Sequence, residues 1–168
     1  MAKLLLSLHV LASVLFIGPV AVAVSMYPRR AAAALADGPD RVSAAASVRM
    51  LHRITQLYAL LGVAVPVLGI GTAQVMGIMG QTWLIVSLVL TAVAAGSLLL
   101  LVLPAQQAVI DTLDLADGKE ISGVVRGDER ERAERGLKLL PMTAGVFNLL
   151  WAVVVVMMVI RPGSTTGA

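Results

Sequence analysis

The sequence predicts an all-α protein: a bundle of four transmembrane helices with both termini extracytoplasmic and two charged cytoplasmic loops. The first observation behind this prediction is composition. The chain is 58% hydrophobic and 14% charged, whereas soluble domains are nearer half apolar and a quarter charged. A chain of 168 residues has too little interior to hide that excess, which therefore faces lipid.

The second observation is a set of four apolar windows. About 20 helical residues cross a hydrocarbon core of about 30 Å, and the windows that reach this length are residues 4–26, 54–79, 83–103 and 139–160. Only Gly80-Gln81-Thr82 separates the second window from the third, which predicts a tight antiparallel hairpin. We expect one domain over residues 1–161 and a disordered tail over residues 162–168.

The third observation is the placement of positive charge. Eleven of the thirteen Lys and Arg residues lie between the first and second windows or between the third and fourth. The positive-inside rule assigns these two loops to the cytoplasm and both termini to the outside. Arg29 and Arg30 directly follow the first window, which favours a retained helix over a cleaved signal peptide. The sequence thus predicts a multi-pass protein of the inner (plasma) membrane.

The net charge of +3 is explained by this topology, and we predict no nucleic-acid partner. The basic loops are interpreted as solvated faces beside anionic lipid headgroups, so the bilayer itself is a predicted partner. A docking surface for a cytoplasmic partner is the alternative interpretation of the same charges.

Several kinds of chemistry are disfavoured by the residues present. The chain has no cysteine, which excludes disulfides, thiolate metal sites and a cysteine nucleophile. No motif for nucleophilic catalysis, a P-loop, a dinucleotide fold or a metalloprotease occurs. We therefore predict that the protein is not an enzyme. The four windows hold no Asp, Glu, Lys or Arg, and this lowers the expectation of a proton-coupled carrier.

His9 is a titratable side chain inside the first window, six residues from its outer end. One interpretation is a neutral imidazole that hydrogen-bonds within the bundle, because polar groups in a membrane need partners. A second is a haem or copper ligand, with Met157 and Met158 at matching depth on the fourth window. A third is a role in proton transfer or in binding another ligand. His52 lies about 20–25 Å deeper at 1.5 Å per residue, so it cannot share a site with His9. No cofactor and no separate metal site are predicted beyond these candidates.

Helix packing is predicted at small and polar residues inside the windows. Small residues four apart permit close approach of helices, and the chain offers two such faces and one central amide: Gly69, Ala73 and Gly77; Ser87, Thr91 and Ala95; and Asn148. Asn148 lies at the depth of Ser13 and Thr91, which predicts a hydrogen-bond network. The spacing fits a neighbour in the same chain or in another. Pro19 and Pro66 predict kinks.

The opening LLLSLHVLASVLFIG, with its early histidine, resembles the start of a family of small bacterial integral membrane proteins of unknown function. The basic loop, the hairpin and the charged loop before the last window extend this resemblance over most of the chain. The opening is also distantly similar to copper-resistance D-type membrane proteins and membrane protoporphyrinogen oxidases. In those proteins the matching histidine is implicated in cofactor or metal chemistry, and the resemblance implies such a role for His9.

These observations favour a non-enzymatic accessory subunit of a larger membrane complex, with other integral membrane subunits as partners. The composition is typical of actinobacteria, in which a lipid-import complex of the mammalian-cell-entry type or a respiratory complex is a natural host. Two alternatives stay open. One is a haem- or copper-binding redox protein using His9, and the other is a small carrier or channel.

Overall fold

Four long helices make up the computed structural model of the protein. The structure describes residues 1–36, 38–116 and 126–163, apart from the side chains of residues 116 and 126–134. The helices are α1 (Ala2–Leu35), α2 (Arg41–Met76), α3 (Thr82–Leu115) and α4 (Arg126–Ile160), and the described residues include no strand. Each helix contains a stretch that is long and apolar enough to cross a membrane. The predicted all-α class and the number of apolar helices are confirmed.

The two ends of the bundle are packed differently. One end of the bundle, here called the basic end, comprises residues 24–36, 38–53, 103–115 and 135–148. There α1 contacts α2, α3 and α4, and α3 contacts α2 and α4. The other end, here called the terminal end, comprises residues 1–13, 64–91 and 151–163. There α1 packs on α2, and α3 packs on α4. There α2 and α3 hardly touch, although only residues 77–81 connect them. The predicted close packing of this hairpin is therefore wrong at the terminal end, where Met76 and Trp83 line the gap between the two helices.

Small side chains form the core of the basic end. The end of α1 packs on the start of α2 through buried alanines, whose small volume lets two helix backbones approach closely. The buried residues at this contact are Ala31, Ala34, Ala44, Ala45 and Val48. Larger side chains from α1, α3 and α4 complete the core beside them: Tyr27, Val109, Leu113 and Leu140.

Proline residues mark the irregular turns of the helices. Wider, π-helical turns cover Ser13–Ile17, just before Pro19, and Leu98–Val102, just before Pro104. The regular α-helix of α2 is interrupted at Val63, shortly before Pro66. Proline lacks a backbone N–H and clashes with the preceding turn, so a local widening or break relieves the strain. Irregular turns thus lie beside Pro19 and Pro66, where kinks are predicted, and beside Pro104.

The helices extend well past their apolar stretches at the basic end. Helix α2 begins thirteen residues before Ile54, and α1 continues nine residues past Met26. At 1.5 Å per residue these extensions are about 14–20 Å long. The basic end is therefore a helical head that projects beyond the part of the bundle suited to lipid.

Candidate functional site

His9 is buried between α1 and α2 in a defined tautomer. Its Nδ1 lies 2.9 Å from the backbone carbonyl oxygen of Val65. A carbonyl oxygen only accepts hydrogen bonds, so Nδ1 carries the hydrogen, and in the neutral ring the lone pair is on Nε2. Histidines that bind a ligand are held in this way, with one nitrogen donating to a fixed acceptor and the other free to bind.

Gly69 provides the surface on which the His9 ring lies. A Cβ atom at position 69 would be 2.9 Å from Cε1 of His9 and 3.3 Å from its Nδ1. Only glycine therefore fits at this contact. Ala73, one turn further along α2, is also buried. Gly77 differs: it is exposed, has a φ of 68° and ends α2 as a left-handed cap. The small-residue face of α2 is thus used inside the chain at Gly69 and Ala73 and does not include Gly77.

His9 forms part of the wall of a small cavity at the terminal end, here called the chamber. The chamber has a volume of about 90 Å³ and is lined by residues from all four helices, among them His9, Thr72, Thr91, Trp151 and Met158. The two threonines donate to carbonyl oxygens of their own helices, Thr72 to Leu68 at 2.7 Å and Thr91 to Ser87 at 2.8 Å. His9 Nε2 therefore faces surroundings that are otherwise mainly apolar.

The candidate cofactor ligands are only partly brought together. Met158 lines the chamber with His9, whereas Met157 is half-buried and does not line it. A histidine nitrogen and a thioether are ligands that suit a soft metal ion. Among the described residues, no three His, Asp or Glu side chains cluster at metal-binding distance.

The remaining predicted packing residues lie on α3 and α4. Ser87 is buried and donates to the Trp83 carbonyl oxygen at 2.8 Å, while Ala95 is exposed. Asn148 Nδ2 donates to Ser25 Oγ of α1 at 2.8 Å. The predicted network of Asn148 with Ser13 and Thr91 is not found, because α4 packs on the half of α1 that carries Ser25.

A second polar cluster surrounds His52 at the basic end. His52 is buried, with Nδ1 3.1 Å from Gln106 Oε1 and Nε2 3.0 Å from Gln107 Oε1. Gln107 Nε2 donates to Asp111 Oδ1 at 2.7 Å. This bond leaves the Gln107 oxygen to accept from His52, so His52 Nε2 carries a hydrogen. The sequence interpretation of His52 as an interfacial residue missed both glutamines, although adjacent amides at the matching end of the third window were a usable signal.

Two further interactions join the helices at this cluster. The Tyr27 hydroxyl of α1 donates to the Gln106 backbone oxygen at 2.8 Å. Arg49 of α2 and Asp114 of α3 form an ion pair with an N–O distance of 2.9 Å. The cluster thus connects α1, α2 and α3 and fixes their relative positions. It contains no group arranged as a nucleophile with an adjacent base.

Comparison of the chain with protein-family models, with curated proteins and with solved structures finds no match. The four long apolar helices are compatible with a membrane protein.

Proposed function

We propose that the protein is a non-enzymatic accessory subunit of a larger membrane complex, with its basic end in the cytoplasm. The observation that carries this proposal is an exposed apolar stripe on the projecting part of α2. Val42 is 82% exposed and Met50 is 65% exposed. Ala46 lies between them and is also exposed. Residues four apart share one face of a helix, so the three side chains form a continuous stripe.

The position of the stripe along α2 argues against lipid as its only contact. Val42 lies twelve residues before Ile54, the first residue of the apolar stretch. Twelve residues correspond to about 18 Å, while the headgroup layer on each side of a bilayer is about 5–8 Å thick. The start of the stripe therefore extends into water in an isolated chain. Apolar surface in water, rimmed by polar residues, marks an interaction site more often than chance exposure does.

The charges beside the stripe define the partner's chemistry. Arg49 and Arg53 line a shallow groove together with Ala46 and Met50. Arg53 is exposed, and Arg49 is already ion-paired with Asp114. A complementary partner presents apolar side chains flanked by carboxylates, as an amphipathic helix of another subunit does.

The His52 cluster supports an adaptor role at the same end. Hydrogen bonds and an ion pair connect three helices directly behind the stripe. A surface held in this way loses little conformational freedom when a partner binds, and such preorganisation favours affinity. Lipid-import complexes of the mammalian-cell-entry type and respiratory complexes are the two hosts that we propose.

The proposal is tested by isolating the tagged chain from the membranes of the cells that encode it. Gentle solubilisation, native mass determination and mass spectrometry identify what co-purifies. We expect larger subunits in fixed ratio with the wild-type chain and at least tenfold less of them with Ala46→Glu. Ala32→Glu is the matched control, because Ala32 is exposed on α1 at the same end. A wild-type chain that purifies alone, or equal losses in the two variants, would overturn the proposal.

A further inference from the structure

We infer that the chamber and the gap beside it form a binding site for a membrane-soluble alcohol, an apolar chain that ends in a hydroxyl group. The hydroxyl donates to His9 Nε2, and the chain lies between α2 and α3. This inference does not depend on the proposed accessory function, because it concerns the isolated chain and the opposite end of the bundle.

We infer the hydroxyl group of the ligand from the hydrogen bonding of the two ring nitrogens of His9. The bond from Nδ1 to Val65 and the contact with Gly69 fix the ring. Nε2 has no hydrogen-bond partner within the part of the chain that the structure describes. Nε2 is not one of the completely enclosed polar atoms that lack a partner, so a molecule in the chamber can reach it. A donor in these mainly apolar surroundings supplies the hydrogen bond that the described residues do not. Because this is a single acceptor, it selects a ligand with one donor group.

The apolar body of the ligand follows from a second cavity, here called the slot. The slot has a volume of about 460 Å³ and lies between α2 and α3. Val65, Pro66, Thr91 and Trp151 line both the slot and the chamber, so the two cavities adjoin. The rest of the slot wall is almost entirely apolar, formed by residues such as Leu60, Ala94, Leu98, Leu99 and Phe147. Gln56 and Thr91 are the polar side chains among the residues that line it, and Thr91 already donates to the Ser87 carbonyl oxygen. The slot therefore offers room for an apolar chain.

The direction of entry follows from which wall residues reach the surface. Leu60 and Leu99 line the slot and are 71% and 52% exposed, so the slot opens on the side of the bundle. At the far rim of the chamber, the guanidinium of Arg161 lies 5.8 Å from the centre of the Trp83 ring. A ligand dissolved in the bilayer therefore enters sideways through the slot. Its hydroxyl then points toward the terminal end, as a lipid headgroup of that leaflet does.

Photolabelling of the purified protein in lipid nanodiscs tests the inference. The probe is hexadecanol with a diazirine in its chain and a terminal alkyne, and the matched probe is its methyl ether, which cannot donate a hydrogen bond. We expect saturable labelling of slot residues by the alcohol and at least tenfold less by the ether. His9→Phe, which keeps an aromatic ring but removes the acceptor, should reduce alcohol labelling to the ether level.

A glycine pair provides a control that leaves His9 in place. Gly69→Ala forces the His9 ring to move, whereas no atom lies within 4 Å of a Cβ at Gly71 on the same helix. Gly69→Ala should lose the preference for the alcohol and Gly71→Ala should keep it. Equal labelling of wild-type protein by the two probes, as expected if only a water molecule binds His9, overturns the inference. So does an unchanged preference in both His9→Phe and Gly69→Ala.

Discussion

His9 and His52 are both buried, yet their surroundings suit different tasks. The Nδ1 of His9 is held by one backbone oxygen and its Nε2 faces a cavity. Both ring nitrogens of His52 lie within hydrogen-bond distance of glutamine amides. His9 can therefore bind something that is not part of the protein, while His52 joins two helices.

The contribution of the Tyr27 hydroxyl to the His52 cluster can be measured by a substitution that removes one oxygen atom, and Tyr58 offers a matched control. Tyr27→Phe removes the hydrogen bond to the Gln106 backbone oxygen and leaves the ring in place. We expect the free energy of unfolding to fall by about 0.5–1.5 kcal/mol, the usual net contribution of such a bond. Thermal unfolding in detergent measures the change.

Tyr58→Phe is the matched control for this measurement. Tyr58 is half-buried, and its hydroxyl makes no hydrogen bond to any of the described residues. Its removal should leave the unfolding midpoint nearly unchanged. If the two variants melt alike, the Tyr27 hydroxyl does not hold α1 against α3.

The details of both histidine sites were beyond sequence reasoning for a physical reason. Depth along a helix predicted which residues are level with His9, and Met158 does share its cavity. The actual partner is the Val65 carbonyl oxygen, and a backbone atom has no sequence signature. Asn148 shows the same limit, because its bond to Ser25 depends on which half of α1 faces α4.

At the scale of helices, the contact between α1 and α2 depends on alanines at the basic end. Ala44 is fully buried there, and Ala46, half a turn away, is exposed. Ala44→Leu adds three carbon atoms where the two backbones are close, which should lower the free energy of unfolding by about 1–3 kcal/mol. The same substitution at Ala46 should change it by about 0.5 kcal/mol or less, as for surface positions in general.

Thermal unfolding of the two leucine variants in detergent decides this point. A large loss for Ala44→Leu alone agrees with close packing of α1 on α2. A small loss for both variants would mean that the two helices are further apart than the structure shows.

Helix number and approximate limits follow from the hydropathy pattern, because a bilayer requires long apolar stretches whatever their neighbours are. The hydropathy pattern does not predict which of those helices pack on each other. The short connection at Gly80 predicted that α2 and α3 pack closely. A short loop keeps two helix ends near each other, but it does not determine how closely the helices pack along their length. Trp83 and Met76 line the space between the two helices. The chamber and the slot are parts of this space.

The orientation of the whole molecule is a prediction that the absence of cysteine makes easy to test. Single-cysteine variants Ala32→Cys at the basic end and Gly80→Cys at the terminal end place one thiol on each side, and both positions are exposed and outside the stripe. A maleimide that cannot cross membranes should label Gly80→Cys in intact cells. It should label Ala32→Cys only after permeabilisation, because the basic loops are expected inside. The reverse pattern would contradict the assignment of the basic end to the cytoplasm.

The central claim for the whole molecule is that it works as part of a larger assembly through the stripe formed by Val42, Ala46 and Met50. The measurement that tests this most directly is the native mass of the tagged chain after gentle solubilisation, with the co-purifying proteins identified. We expect an assembly much heavier than 17.5 kDa that contains other membrane subunits and dissociates in Ala46→Glu. A monomeric chain that purifies without stoichiometric partners would contradict it.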